Sequence, residues 1–302
     1  MPQGSLRVIG VPYNSAGRSD GVAEAPAALR AAGLVEGLVD AGAAVVDRGD
    51  LRIVPTSPRR DHVSGLIDPD GLLRMLRVVR EEVRAALHER AFPLVIGGDC
   101  PVLLGCLAAW GDKSDVGVLF VDGHEDAWPP HASTTGEAAD MELGLALGRG
   151  LEDLPTALRE EIPRLDPDLV VVVGPRDADE LASAGVESTG DVVEIIGPEE
   201  LERRGGAIVS GALTRLHRAA AWWLHVDLDV LSSQSLAAVD YPQPGGVGWR
   251  ALQDLTIAAL ADQGIAGWDV TIYNPELDPS GDDARRIVEY VGASLGASMV
   301  GR

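Results

Sequence analysis

Apolar residues in this chain fall into two alternating kinds of run. Short, β-branched runs at residues 6–11, 44–47, 93–96, 116–121, 169–173, 192–196, 222–226 and 266–272 read as strands. Most are apolar almost without interruption, as expected of parallel strands buried on both faces rather than half-exposed ones. Between them the period lengthens to that of a helix. It is clearest over 72–88, where Leu72, Leu73, Leu76, Val79, Val83 and Leu87 share one face. Further helical patterns occupy 100–110, 141–147, 201–217, 249–261 and 284–297. The alternation predicts an α/β fold with a mainly parallel sheet of about eight strands. Right-handed crossovers would bring most strand carboxyl ends to one edge, where open α/β sheets bind ligands.

No repeat, low-complexity tract or Pro/Gly/Ser linker divides the chain, so residues 1–302 are expected to form one domain. The polar stretches 55–71 and 127–137 read as long loops near the ligand-binding edge. A formal net charge of -22 opposes nonspecific attraction to nucleic acid or to an anionic membrane. The opening "MPQGSLRVIGVPY" has no apolar segment behind a basic one, and no run reaches membrane-spanning length. Cys100 and Cys106 stand six apart on one predicted helix, which argues for a reducing compartment over a disulfide framework. The expectation is a cytoplasmic protein whose partner is a small molecule, not nucleic acid and not a membrane.

Four segments place charged or reactive groups where a strand stops. They are "IGGDC" (Asp99, Cys100), "VDGHED" (Asp122, His124, Asp126), "VGPRDAD" (Arg176, Asp177, Asp179) and "HVDLDVL" (Asp227, Asp229). Any single Asp after a strand is ordinarily a helix cap or turn residue. Together, however, they would gather negative charge at one end of the sheet, which is costly unless cations neutralise it. Divalent cations meet that need, and His124 adds an imidazole suited to transition metals more than to calcium. Two cations about 3.5 to 4 Å apart can hold a bridging hydroxide near neutral pH.

These motifs, in this order, resemble those of the ureohydrolases, the family of arginase, agmatinase, guanidinobutyrase and formimidoylglutamase. The resemblance runs from "VIGVPYNSAGRSDG" through "VIGGDCPVLLG", "DGHED" and "DLD" to "WDVTIYNPELDP", almost the whole chain. It implies a three-layer α/β/α sandwich, a centre of two divalent metal ions, usually manganese, and hydrolysis of a guanidine or amidine C–N bond. Carried across residue by residue, one metal would be held by Cys100, Asp122, Asp126 and Asp227. The other would take Asp122, His124, Asp227 and Asp229. The resemblance makes Asp126 and His124 the catalytic residues, Asp126 passing a proton to the leaving amine. It also implies a homo-oligomer, a trimer or hexamer.

Five of the six usual metal ligands are unchanged, but Cys100 stands where the family has His. A thiolate favours zinc, iron or nickel over manganese, whereas a buried thiol that only packs would ligate nothing. The family's "SGN" loop falls on Thr135, Gly136 and Glu137, and its shuttle His on Ala139. The Glu that grips guanidinium falls on Ile272. Plain arginine is therefore not the expected substrate. Thr135, Glu137, Asp140 and Asp179 are the expected substrate-binding residues; Asp179 matches an aspartate that contacts the substrate amino group in arginases. Arg176 and Asp177 are expected to form an ion pair, and His225, two before Asp227, to face the metals. A metal-binding but non-catalytic homologue or partner subunit is the alternative, since the same departures would suit it.

Overall fold

A computed structural model describes residues 5–111 and 116–300. Among them eight strands form one sheet: β1 (Leu6–Val11), β2 (Val45–Asp50), β3 (Phe92–Gly97), β4 (Val116–Val121), β5 (Val170–Val173), β6 (Glu194–Ile196), β7 (Ala221–Asp227) and β8 (Ile265–Thr271). Their order is β2-β1-β3-β8-β7-β4-β5-β6, and every pairing is parallel. The α/β architecture is the expected one, and each predicted strand is present with ends shifted by a few residues.

Side chains alternate across the sheet into two cores. On β7, Trp222, Leu224 and Val226 join one core and Trp223 the other. The first core is closed by α1 (Ala25–Ala31), α2 (Leu34–Asp40), α8 (Pro198–Arg204), α9 (Ala207–Leu216), α10 (Trp249–Ala261) and α11 (Asp282–Val300). The second is covered by α3 (Pro69–His88), α4 (Val102–Leu107), α5 (Glu142–Ala146) and α6 (Thr156–Glu161). Trp222, Trp223 and Trp268 are fully buried. Each removes about 150–250 Å² from water, roughly 4–6 kcal/mol before entropy is subtracted.

Three departures from the periodicity have local causes. The pattern over 201–217 is two helices, α8 and α9, because Gly205 turns the chain at φ +48°. The pattern over 100–110 is a short helix behind Pro101 followed by a 3-10 turn at Ala108–Trp110. Helices α1, α2, α6 and α7 (Ala178–Ala184) have six or seven residues, too few for a periodic pattern to emerge. None of the described helices is long and apolar enough to cross a membrane.

The order of the strands matters most for the site. β3, β8, β7 and β4 are neighbours at the centre of the sheet, and all four end on the same edge.

Candidate active site

Convergence of the polar motifs follows from register. β4 pairs Val121 with Val226, so the residues that follow, Asp122 and Asp227, come side by side; β8 sets Thr271 against Asp227. The ligand atoms of Asp122, His225 and Asp227 lie within 4.8 Å of one another. The same holds for Asp122, His124 and Asp126, and for Cys100, Asp126 and Glu142. All but His124 are buried.

Main-chain amides orient these carboxylates. Asp122 Oδ1 accepts from the His124 amide (2.7 Å), Asp227 Oδ1 from the Asp229 amide (2.8 Å) and Asp229 Oδ1 from the Gly123 amide (2.9 Å). Asp227 Oδ2 accepts from Thr271 Oγ1 (3.1 Å) and from the Cys100 thiol (2.6 Å), so Cys100 faces the cluster. His124 Nδ1 lies 2.8 Å from Asp229 Oδ2 and 3.6 Å from Asp122 Oδ1. Asp126 adopts φ +42°, a left-handed conformation uncommon outside glycine and kept only where the surroundings enforce it.

With protein groups alone, acids outnumber cations here. Burial, then Asp229 and Asp122, push the Asp227 carboxyl well up; burial, then Asp122 and Glu142, do the same to Asp126. The Cys100 thiol is also raised, by burial and by Asp227. Burial would raise Asp122 too, but His124 and His225 more than offset it and hold its carboxyl low. Burial alone would lower His124, yet Asp229 and Asp122 push it up to about 12. Among the described residues, Asp122 Oδ2 and His225 Nε2 are buried without a hydrogen-bond partner, and the buried oxygens of Glu142 have none beyond a protonated Asp126. Orphaned donor atoms, clustered carboxylates, an imidazole and a thiol fit divalent ions of the hard-to-borderline kind.

His225 faces the cluster, as its spacing from Asp227 predicts. Its Nε2 lies 3.7 Å from Asp122 Oδ2 and its Nδ1 2.6 Å from Asp269 Oδ2. The ring stacks on Phe120 at 4.7 Å, and Trp223 Nε1 donates to the other Asp269 oxygen. Sequence reading missed Asp269, although a charge inside the apolar run "GWDVTI" is itself a signal. Glu142 was missed as well. In "GEAADMEL" it reads as one of several acids at a helix start.

A cleft partly open to solvent has Cys100, His124, Asp126 and Asp229 among its lining residues. Glu137, Asp140, Asp177, Glu180 and Asp240 add acidic groups, and Trp128 and Ile272 add apolar ones. Burial and then Asp99 push Glu137 up to about 7; Tyr241 donates to it at 3.2 Å. Burial raises Asp140 to about 6 against hydrogen bonds from Ser133 (2.7 Å) and Thr135 (2.8 Å). Thr135, Glu137 and Asp140 thus all reach the cleft. Ala139 and Ile272 line it too, without carboxylate or imidazole. Ile272 holds φ +72°, an outlier for a β-branched residue, pinned by its amide to Gly98 O at 2.7 Å.

Two expectations need correction. Asp179 does not line the cleft; it is exposed in the first turn of α7, and Glu180 takes the cleft position. Arg176 and Asp177 form no ion pair. Arg176 instead donates to main-chain carbonyls, Asp229 O at 2.7 Å among them, while Asp177 accepts from the Glu125 amide at 3.2 Å. Carbonyls of the 229–244 segment after β7 take the guanidinium, and the Glu125 amide after β4 takes the carboxylate.

The family model described as Arginase family matches residues 5–300. The arginase of Bacillus subtilis (strain 168) is 30% identical over 299 residues, covering 98% of this chain and 99% of that protein. The solved arginase of Bacillus caldovelox superposes with a TM-score of 0.82 at 26% identity, over 98% of this chain and 99% of that one. The arginase of Bacillus cereus gives 0.80 at 26% identity, over 97% and 98%.

Proposed function

The chain belongs to the arginase family of hydrolases, and we propose that it is a metal-dependent enzyme cleaving a C–N bond of a guanidino or amidine-type small molecule other than plain arginine. The observation that carries this reading is the opening of an acid-lined cleft directly onto the orphaned carboxylate cluster. Cys100, Asp122, Asp126 and Asp227 would hold one ion, and Asp122, His124, Asp227 and Asp229 the other. Bound there, divalent ions would supply Lewis acidity, polarising water and the electrophilic carbon.

The remaining chemistry belongs to the chain. Asp126, buried and in reach of both Asp122 and Glu142, takes the proton released as water adds to carbon and returns it to the departing nitrogen. Asp229 holds His124 in place. Asp269 does the same for His225, and Trp223 for Asp269. Glu137, Asp140 and Glu180 would bind the cationic end of the substrate, with Tyr241 positioning Glu137.

Substitution of Glu and His by Ile272 and Ala139 supports a substrate gripped by different contacts from those the family uses on arginine. The test is urea or ammonia release from a panel of guanidino and amidine compounds, with arginine included, after loading with manganese, zinc, iron or nickel. Turnover of a cationic panel member above arginine is expected. Arginine as the best substrate, or stoichiometric metal with no turnover of any member, would overturn the proposal, the latter in favour of a binding-only homologue.

A further inference from the structure

We propose that Glu142 is a metal ligand, completing with Cys100 and Asp126 a donor set of one thiolate and two carboxylates. The inference rests on the reading that the cluster holds divalent ions, and it adds a residue that the family resemblance does not assign.

Glu142 is fully buried, and among the described residues its carboxylate oxygens meet no donor other than the Asp126 carboxyl when that group is protonated. Among the described residues no arginine or histidine forms an ion pair with it; the His225 ring acts on it only through its charge. Its donor atom lies within 4.8 Å of those of Cys100 and Asp126, two groups that are themselves anionic when ionised. Side by side, two carboxylates can hydrogen-bond only if they share a proton; ionised, they need a cation between them.

The placement is enforced by the backbone. Glu142 opens α5, whose Gly144 amide donates to Asp126 O at 2.9 Å. A Cβ on Gly144 would meet Ala127 Cα at 3.1 Å and Ala127 C at 3.2 Å. Glycine thus lets the helix sit directly on the loop that carries Asp126. Met141, Leu143 and Leu145 belong to the core on that side, so the helix cannot rotate Glu142 out to water without exposing them.

Donor chemistry suggests the ion. Thiolate with carboxylates suits zinc or iron better than manganese, and two further anionic donors compensate for the imidazole that Cys100 replaces. A Cys100/Asp126/Glu142 site would therefore differ in metal preference from the His124/Asp229 site beside it.

Metal titration of the chelator-stripped full chain by calorimetry, with bound ions counted by mass spectrometry, tests this with zinc and with manganese. Wild type is expected to bind two zinc ions, and Glu142→Gln to lose at least tenfold in affinity for one of them while keeping the other. Wild-type affinity at both sites in Glu142→Gln overturns the inference and leaves the proposed function standing; a wild-type chain that takes up no metal overturns both. Anomalous diffraction from zinc-loaded wild-type crystals needs no variant. A Glu142 oxygen about 2.0–2.2 Å from an ion is expected, and one bonded to Asp126 alone is the contrary result.

Discussion

Replacing Asp227 by Asn should move stability in opposite directions with and without metal. Asp227 is fully buried between Asp122, which follows β4, and Thr271 on β8, and its two oxygens accept from the Asp229 amide, Thr271 and Cys100. Asn keeps the shape but removes one charge. Without metal, burial, Asp229 and Asp122 oppose that charge and favour a protonated Asp227; what Asn spares the folded chain, whether as repulsion or as the proton uptake that relieves it, is about 3.5 kcal/mol, the repulsion of two like charges within 4.8 Å at an effective dielectric constant of about 20. Thr271 and Cys100 losing an acceptor costs about 1–3 kcal/mol. The metal-free variant should therefore equal or exceed wild type by about 1–2 kcal/mol. Metal reverses the order: a ligand at 100 times its Kd adds about 2.7 kcal/mol per site. With unfolding entropy of about 2.1 cal/mol/K per residue over this 302-residue chain, that is about 4 °C per site. Differential scanning calorimetry of stripped and loaded protein should give wild type a rise of about 8 °C on loading and Asp227→Asn less than about 2 °C. A variant that keeps the full rise would show that Asp227 is no ligand. A metal-free variant several degrees below wild type would show that its carboxylate serves as a structural acceptor, and the reasoning from charge would fail.

Two more expectations concern the cleft and the residues behind it. Burial and Asp99 push Glu137 up to about 7, so it is half charged there and mostly charged above; KM for a cationic substrate should fall as pH rises from 6 to 8, and Glu137→Gln should flatten the part of the profile above pH 7, which Asp140 and Asp177, pushed up to about 6, do not supply. An unchanged profile would remove Glu137 from substrate binding. Trp223→Phe takes a hydrogen bond from buried Asp269, which orients His225; metal affinity should drop by about 10–100-fold with the fold retained, and calorimetric titration at wild-type affinity would refute that role.

How much of this was legible in advance depends on how local each signal is. The six inner strands could be read from apolar runs because a strand buried on both faces has few polar positions to blur it, whereas the edge strands β2 and β6 are part-exposed and only their short apolar stretches showed. The polar motifs at the ends of β3, β4 and β7 were legible because charge just past a buried run stands out. Asp179 and Glu180 were not separable from sequence, because which of two neighbouring acids faces the cleft depends on how α7 is rotated against the sheet. The division of 201–217 into two helices turned on the backbone at Gly205, which a periodicity of side chains does not register.

By itself, then, the order of residues determined the parallel α/β layering, the strand-end position of Asp122, His124, Asp126, Asp227 and Asp229, and the departures at Cys100, Ala139 and Ile272. Each depends only on neighbours along the chain. Only the folded chain decided that Glu142 lies beside Cys100 and Asp126, that Asp269 supports His225, and that Arg176 binds carbonyls instead of Asp177. Those partners are far apart in sequence or separated by loops, and they meet through strand order, register and the close approach of α5 at Gly144. Tertiary packing sets these distances, and no local pattern encodes them.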